Sequence, residues 1–253
     1  MGKRYHFRAD DWRQVLGPAD VGLRFTSAQR IALDGAVTLK SGPEELCVVV
    51  VGGANLAYES GANRGAAEYR DMLYVPRNSV LKLEGKGVTL VRFGAAAVRD
   101  TRLVHVRFRD MDADPSIHRV FGKAETNCRR DVWMCVDQNV DADRLQVGYC
   151  QGGTGGWTGW PPHEHTRQRE EVYAYFDMGN AFGVQILYND MADPYMVTLV
   201  RDGDLVSIPS GYHPTVACPA GRMSFVYCMV ATTPGKRDFM DLHVQELYGT
   251  KFE

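Results

Sequence analysis

Three histidines and one glutamate carry the strongest chemical signal in this chain. His163 and His165 stand two apart in PPHEH, so on an extended strand both imidazoles leave the same face. Glu171 opens the run EVYAYF and can bring a carboxylate to the same cavity from a neighbouring strand. His213 follows 42 residues later, just after the Pro209-Ser-Gly211 turn. Three imidazoles and a carboxylate make a borderline ligand set for one divalent ion. Such a set suits zinc, manganese, iron(II) or nickel, with positions left open for water or substrate. A single histidine is ordinarily a surface or hydrogen-bonded residue; three of only seven in these places, with a glutamate at the right remove, point to a metal. His6, His105, His118 and His243 lack such spacing and are read as structural.

The segments that must position these groups read as strands. CVVVVG, MLYVP, VLKLEG, VTLVRFG, LVHVRFR, LQVGYC, EVYAYF, GVQILY, YMVTLVR, LVSIPSG and MSFVYCMVA alternate with Gly, Pro, Asn and Asp clusters. That rhythm is the one expected of an all-β sandwich or barrel. Helical periodicity is weak and confined to ADDWRQVL near the start and DFMDLHVQEL near the end. The polar stretch from Val106 to Asp131 separates two strand-rich halves, so the expected organisation is residues 1–120 and 121–253, each long enough for a small jelly-roll barrel. The halves share a pattern: Asp71 to Pro76 and then Asn78, Asp204 to Pro209 and then Gly211. Val80 stands in the first where His213 stands in the second, as in a duplication whose second copy alone kept a polar site.

These motifs resemble the cupin superfamily. His163, His165 and then Glu170 or Glu171 match its first motif, and Gly203, Pro209, Gly211 and His213 match its second with one residue fewer before the histidine. Trp157 stands where a glycine is usual. Glu170 fits the usual spacing literally, whereas Glu171 directly precedes the strand VYAYF and shares a face with Tyr173 and Tyr175; Glu171 is therefore preferred. More narrowly, PPHEH, EEVYAYF, GVQILY and DGDLVSIPSGYHP are similar to the 5-deoxyglucuronate isomerases of inositol breakdown, with the 5-keto-4-deoxyuronate isomerases next nearest. LCVVVVGG and DMLYVPRNS extend the likeness into the first half. The resemblance implies a bicupin with metal only in the C-terminal barrel. It also implies a metal-dependent aldose–ketose isomerase acting on a sugar acid. Glu164 replaces the basic residue usual between the two histidines of the inositol enzymes.

In such an isomerisation, polarisation of the carbonyl by a divalent ion lowers the pKa of the adjacent C–H and stabilises the enediolate. Tyr173, two along from Glu171, is the first candidate for acid or hydrogen-bond donor. Gln185, polar inside GVQILY, is a candidate for substrate contact. Arg167, Arg169 and Arg222 are candidates for the substrate carboxylate. Trp157 and Trp160 could wall the pocket against a sugar face. An iron-dependent cupin dioxygenase and a non-enzymatic sugar-binding cupin are the rival readings.

Composition narrows the partners. Twenty-nine Lys and Arg against 31 Asp and Glu leave a net charge of −2, with no basic stripe for nucleic acid. No apolar run approaches the length of a membrane span. The opening lacks the apolar stretch of a secretion signal, so a cytoplasmic protein is expected. Met1-Gly2 opens like a myristoylation signal, but His6 stands where Ser or Thr is wanted. Six scattered cysteines without C-x-x-C read as reduced, buried thiols. Exposed strand edges favour a homo-oligomer.

Overall fold

The computed structural model describes residues 4–249, 251 and 252; Met1-Gly2 lies outside them. The architecture is all-β, as the strand rhythm predicts. In the first half, the long strand Val80–Ala96 pairs antiparallel with Thr26–Lys40 on one side. On its other side it pairs with Glu44–Gly52 and Leu56–Ser60. Asn63–Ala67, Met72–Val75 and Val104–Val106 complete this sheet. The register between the two longest strands slips at Leu33 and Gly35. Gly35 takes up that bulge at φ 125°, a backbone region that side chains avoid.

The second half has a seven-stranded sheet in the order His6–Phe7, Leu205–Ile208, Arg169–Tyr175, Arg222–Ala231, Leu145–Thr154, Arg130–Val136, His118–Phe121. A four-stranded sheet of Trp157–Thr158, Thr215–Ala217, Phe182–Leu187 and Met196–Arg201 packs against it, and His163–Glu164 pairs with His243–Val244.

Strand parity sorts the buried residues into three cores. Leu46, Val48 and Val50 fill the interior of the first barrel, while Cys47 and Val49 on the same strand face the second half. Tyr173 and Tyr175 fill the second barrel, and Val172 and Ala174 face the first half. A strand covered on both faces needs apolar residues throughout, which is why CVVVV runs unbroken instead of alternating. All six cysteines are buried and unpaired, in line with the sequence reading.

Two carboxylates tie the halves together reciprocally. Glu45 accepts the backbone N–H groups of Asp143, Arg144 and Leu145 at 2.6–2.9 Å, and the Tyr74 hydroxyl at 2.6 Å. Glu170 accepts the N–H groups of Arg24, Phe25 and Thr26 at 2.8–2.9 Å, and the Thr26 hydroxyl. The Asp–Pro pattern is duplicated in structure as well. Asp71 and Asp204 each precede a four-residue strand, and each holds a histidine Nε2 at 2.9 Å: His105 and His6 respectively. The two histidines lie on strands that pair with those same four-residue strands, so His6–Phe7 joins the sheet of the second half.

Both segments with helical periodicity fold otherwise. In ADDWRQVL, Trp12 is fully buried and its indole N–H donates to the Gly203 carbonyl, which draws the segment into turns. DFMDLHVQEL contributes the strand His243–Val244 and enters a single 3-10 turn, Glu246–Tyr248, because pairing with His163–Glu164 claims its backbone. The one α-helix among the described residues is Phe108–Asp112, in the polar stretch between the halves. No helix is long and apolar enough to cross a membrane.

Candidate metal centre

His163, His165 and His213 converge inside the second barrel, each offering a nitrogen within 4.8 Å of the others. Each ring is oriented by its own backbone. His163 Nδ1 lies 3.1 Å from the Pro161 carbonyl, His165 Nδ1 3.3 Å from that of Arg169, and His213 Nδ1 2.9 Å from that of Gly211. A carbonyl only accepts, so all three Nδ1 atoms carry the proton and all three Nε2 atoms present a lone pair.

The turn before His213 is built to aim it. Gly211 has φ 82°, and a side chain there would run into the Tyr188 carbonyl. Its N–H is held by the Thr166 hydroxyl at 3.0 Å, next to His165. The Gln185 amide donates to the carbonyls of His213 and Pro214 at 3.0 and 3.2 Å. Gln185 also accepts from the Tyr175 hydroxyl at 2.6 Å, so its polar atoms are engaged by protein and it lies outside the lining of the histidine pocket.

Glu171 Oε2 stands 3.2 Å from His165 Nε2 and 3.3 Å from His213 Nε2. Glu170 has the opposite parity and is spent on the first half. With Nδ1 protonated, these contacts set acceptor against acceptor, and buried His213 Nε2 makes no hydrogen bond. A cation between them resolves the repulsion. Two ligands each about 2.1 Å from one ion stand roughly 3.0–3.4 Å apart, which is the spacing found. The donor set therefore fits a divalent ion, with Nδ1 contacts of the kind that orient metal-bound imidazoles.

Burial and the neighbouring imidazoles push His163 well below its ordinary pKa. Burial also lowers His213, against the attraction of Glu171. Neutral imidazoles are ready ligands at neutral pH, and the same shifts make the metal-free fold acid-sensitive. Below about pH 6.5 the unfolded chain takes up protons that the folded chain refuses, so stability falls with acid until the lowered folded-state values are reached. The melting temperature of metal-stripped protein is expected to be highest above about pH 7 and to fall steadily towards pH 5. Thermal melts across that range check this, and a flat profile contradicts it.

The pocket facing His163, His165 and Glu171 has a volume of only about 40 Å³. Arg130, Tyr173, Phe225, Phe239 and Phe252 are among its walls. Tyr173 stacks on Phe225 with centroids 4.0 Å apart, and burial, then Glu171, holds its hydroxyl well above the usual phenol pKa. The ring of Phe252 stands 4.4 Å from that of His163. A groove of about 970 Å³ is lined by Arg169 and Phe239 among others and by none of the histidines.

The arginines and tryptophans singled out in the sequence lie elsewhere. Arg169 donates to the carbonyls of Phe239 and Asp241, Arg222 pairs with Asp177, and Arg167 is exposed. Trp157 and Trp160 pack on one another, and Trp160 on Tyr248, outside the pocket. Arg130, inside NCRRD, carries no motif that would have marked it.

Tandem β-barrels with His-x-His, Glu and His gathered in the second define a bicupin. Among solved structures, an IolB-like protein of Salmonella typhimurium LT2 matches 97% of this chain and 98% of its own, with TM-score 0.81 at 18% identity. Oxalate decarboxylase of Lactobacillus farciminis matches 92% of this chain and 87% of its own, with TM-score 0.62 at 11% identity. The chain belongs to the KduI/IolB family, whose model matches residues 5–247.

Curated relatives agree. A 5-deoxy-glucuronate isomerase of Geobacillus kaustophilus is 30% identical over 158 residues, 58% of this chain and 54% of that protein. The chain thus spans about half the length of that relative. The 5-deoxy-glucuronate isomerase of Halalkalibacterium halodurans is 25% identical over 234 residues, 84% of this chain and 83% of that protein.

Proposed function

We propose that this protein is a metal-dependent aldose–ketose isomerase of a sugar acid, with 5-deoxy-glucuronate as substrate and the 2-deoxy-5-keto-gluconate skeleton as product. The observation that carries the reading is the inward convergence of three backbone-anchored imidazoles and Glu171, in a chain of a family whose curated relatives bear that isomerase name. His163, His165, His213 and Glu171 would hold one divalent ion, zinc or manganese first. Bound there, the ion supplies Lewis-acid polarisation of the substrate carbonyl without any change of oxidation state.

The chain's own residues do the rest. Tyr173 stays protonated at neutral pH because burial and Glu171 disfavour the phenolate, so it serves as a donor to substrate oxygen and not as a base. Gln185 acts by position: its amide fixes the carbonyl of His213 and thereby the direction of the ring. The apolar walls from Phe225, Phe239 and Phe252 exclude water from the carbon that exchanges its proton. The division into residues 1–120 and 121–253 is proposed as the evolutionary unit, with the second copy carrying the chemistry.

Proton NMR of 5-deoxy-glucuronate with metal-analysed protein under nitrogen tests the reading. Conversion of aldose to ketose without oxygen supports it; no conversion of any uronate, or turnover only in air, overturns it. Tyr173→Phe keeps the ring stacked on Phe225 and removes only the hydroxyl. It is expected to lower kcat about 100-fold at unchanged metal content. Steady-state kinetics beside metal analysis measures this.

A further inference from the structure

We propose that Arg130 is the anion anchor of the pocket, the group that receives the carboxylate of the substrate. The inference rests on the isomerase reading for its substrate and on the pocket alone for its chemistry. Arg130 begins the strand Arg130–Val136, whose Val132 and Met134 share its parity and fill the barrel interior. Its side chain is 1% exposed and lines the same pocket as His163, His165 and Glu171.

Arg130 makes the fewest hydrogen bonds of the buried arginines; Arg169 and Arg237 also leave an Nε without a partner, but Arg169 holds two backbone carbonyls. Arg92 pairs with Glu44 at 2.6 Å, and Arg144 and Arg237 each hold three backbone carbonyls. Arg130 has one carbonyl, that of Cys128 at 3.2 Å, and its Nη2 has no partner. Among the described residues no carboxylate stands within 4 Å of it. A buried cation without a counter-ion is costly, and burial lowers the pKa of this guanidinium. The Phe121 and Phe252 rings lie 5.5 and 4.8 Å from it, but they supply no counter-charge and leave Nη2 without an acceptor.

A planar guanidinium with a free Nη2 matches the fork of a carboxylate. The Phe252 ring covers its face at 4.8 Å from the ring centre. A ligand reaching Arg130 must displace that ring, which also accounts for a pocket far smaller than a hexose acid. A substrate with an aldehyde end and a carboxylate end would then be oriented by two charges, the ion at the histidines and the guanidinium opposite.

The test compares D-glucuronate with its neutral isostere D-glucuronamide by calorimetric titration of zinc-loaded protein. Wild-type protein is expected to bind the acid at least about tenfold more tightly than the amide. Arg130→Met should bind the two alike at full zinc content, and Arg130→Lys, which keeps the charge without the fork, should fall between. A wild-type protein with no preference, or an Arg130→Met protein that keeps its preference, overturns the proposal. Should uronate turnover fail while the acid preference persists and depends on Arg130, the isomerase reading falls and the anchor stands.

Discussion

His213→Ala is expected to release the divalent ion and to lower kcat/KM at least about 1000-fold, roughly 4 kcal/mol of transition-state stabilisation. As the proposed ligand that closes the set, His213 comes from a distant part of the sequence, is 1% exposed, and lies 3.3 Å from Glu171. Changes to groups that merely orient ligands cost metal affinity about 10- to 100-fold, so loss of a ligand should exceed that. The fold should survive, because the variant also removes a buried nitrogen that lacks a hydrogen bond. Metal-free wild-type and variant proteins should therefore melt within a few degrees of one another, while only the wild type gains stability on adding zinc. Metal analysis and melts with and without zinc decide it. A variant that retains one ion per chain would refute the site.

The candidate ligands are legible because each sits in a local pattern, PPHEH, EVYAYF or PSGYH, that keeps its meaning without the fold. Parity on one strand was enough to separate Glu171 from Glu170, and the structure turns Glu170 to the backbone of Arg24, Phe25 and Thr26. Arg130 was not legible. It sits in a polar run beside Arg129, and only the barrel distinguishes the buried guanidinium from the exposed one. Gln185 was visible as an oddity in an apolar strand, but its role in holding the His213 turn depends on chain 28 residues away.

Fold legibility follows the same division between local and distant causes. Apolar strands such as CVVVVG and MSFVYCMVA announce themselves. Thr26–Lys40 does not: Gln29, Arg30, Asp34 and Gly35 dilute it, much of it is exposed, and its strand character comes from pairing with Val80–Ala96. The two segments with helical periodicity went the other way for the same reason, since a buried Trp12 and a pairing to His163–Glu164 outweigh weak local preference. Asp71 and Asp204 were visible as a repeat, but that each clasps a histidine on an added strand is a long-range fact.

Glu45→Ala should produce the largest loss of stability of any single change away from the histidines. Glu45 is fully buried and accepts four hydrogen bonds, three of them from consecutive N–H groups at the start of the strand Leu145–Thr154. Alanine would leave those donors and the Tyr74 hydroxyl without an acceptor at the junction of the halves. Each unsatisfied buried donor costs about 1–3 kcal/mol, and partial repair by water would leave a net loss of roughly 4 kcal/mol. For a chain of this length that corresponds to about 10 °C in melting temperature. Glu45→Gln, which keeps an acceptor oxygen but not the charge, should lose about half as much. Because Glu45 faces away from the second barrel's interior, zinc content and the kcat of the folded fraction should stay at wild-type values. Calorimetric melts with metal analysis separate the two effects. A melting temperature within 2–3 °C of wild type for Glu45→Ala, less than about 1 kcal/mol, would mean that the apolar interface alone joins the halves.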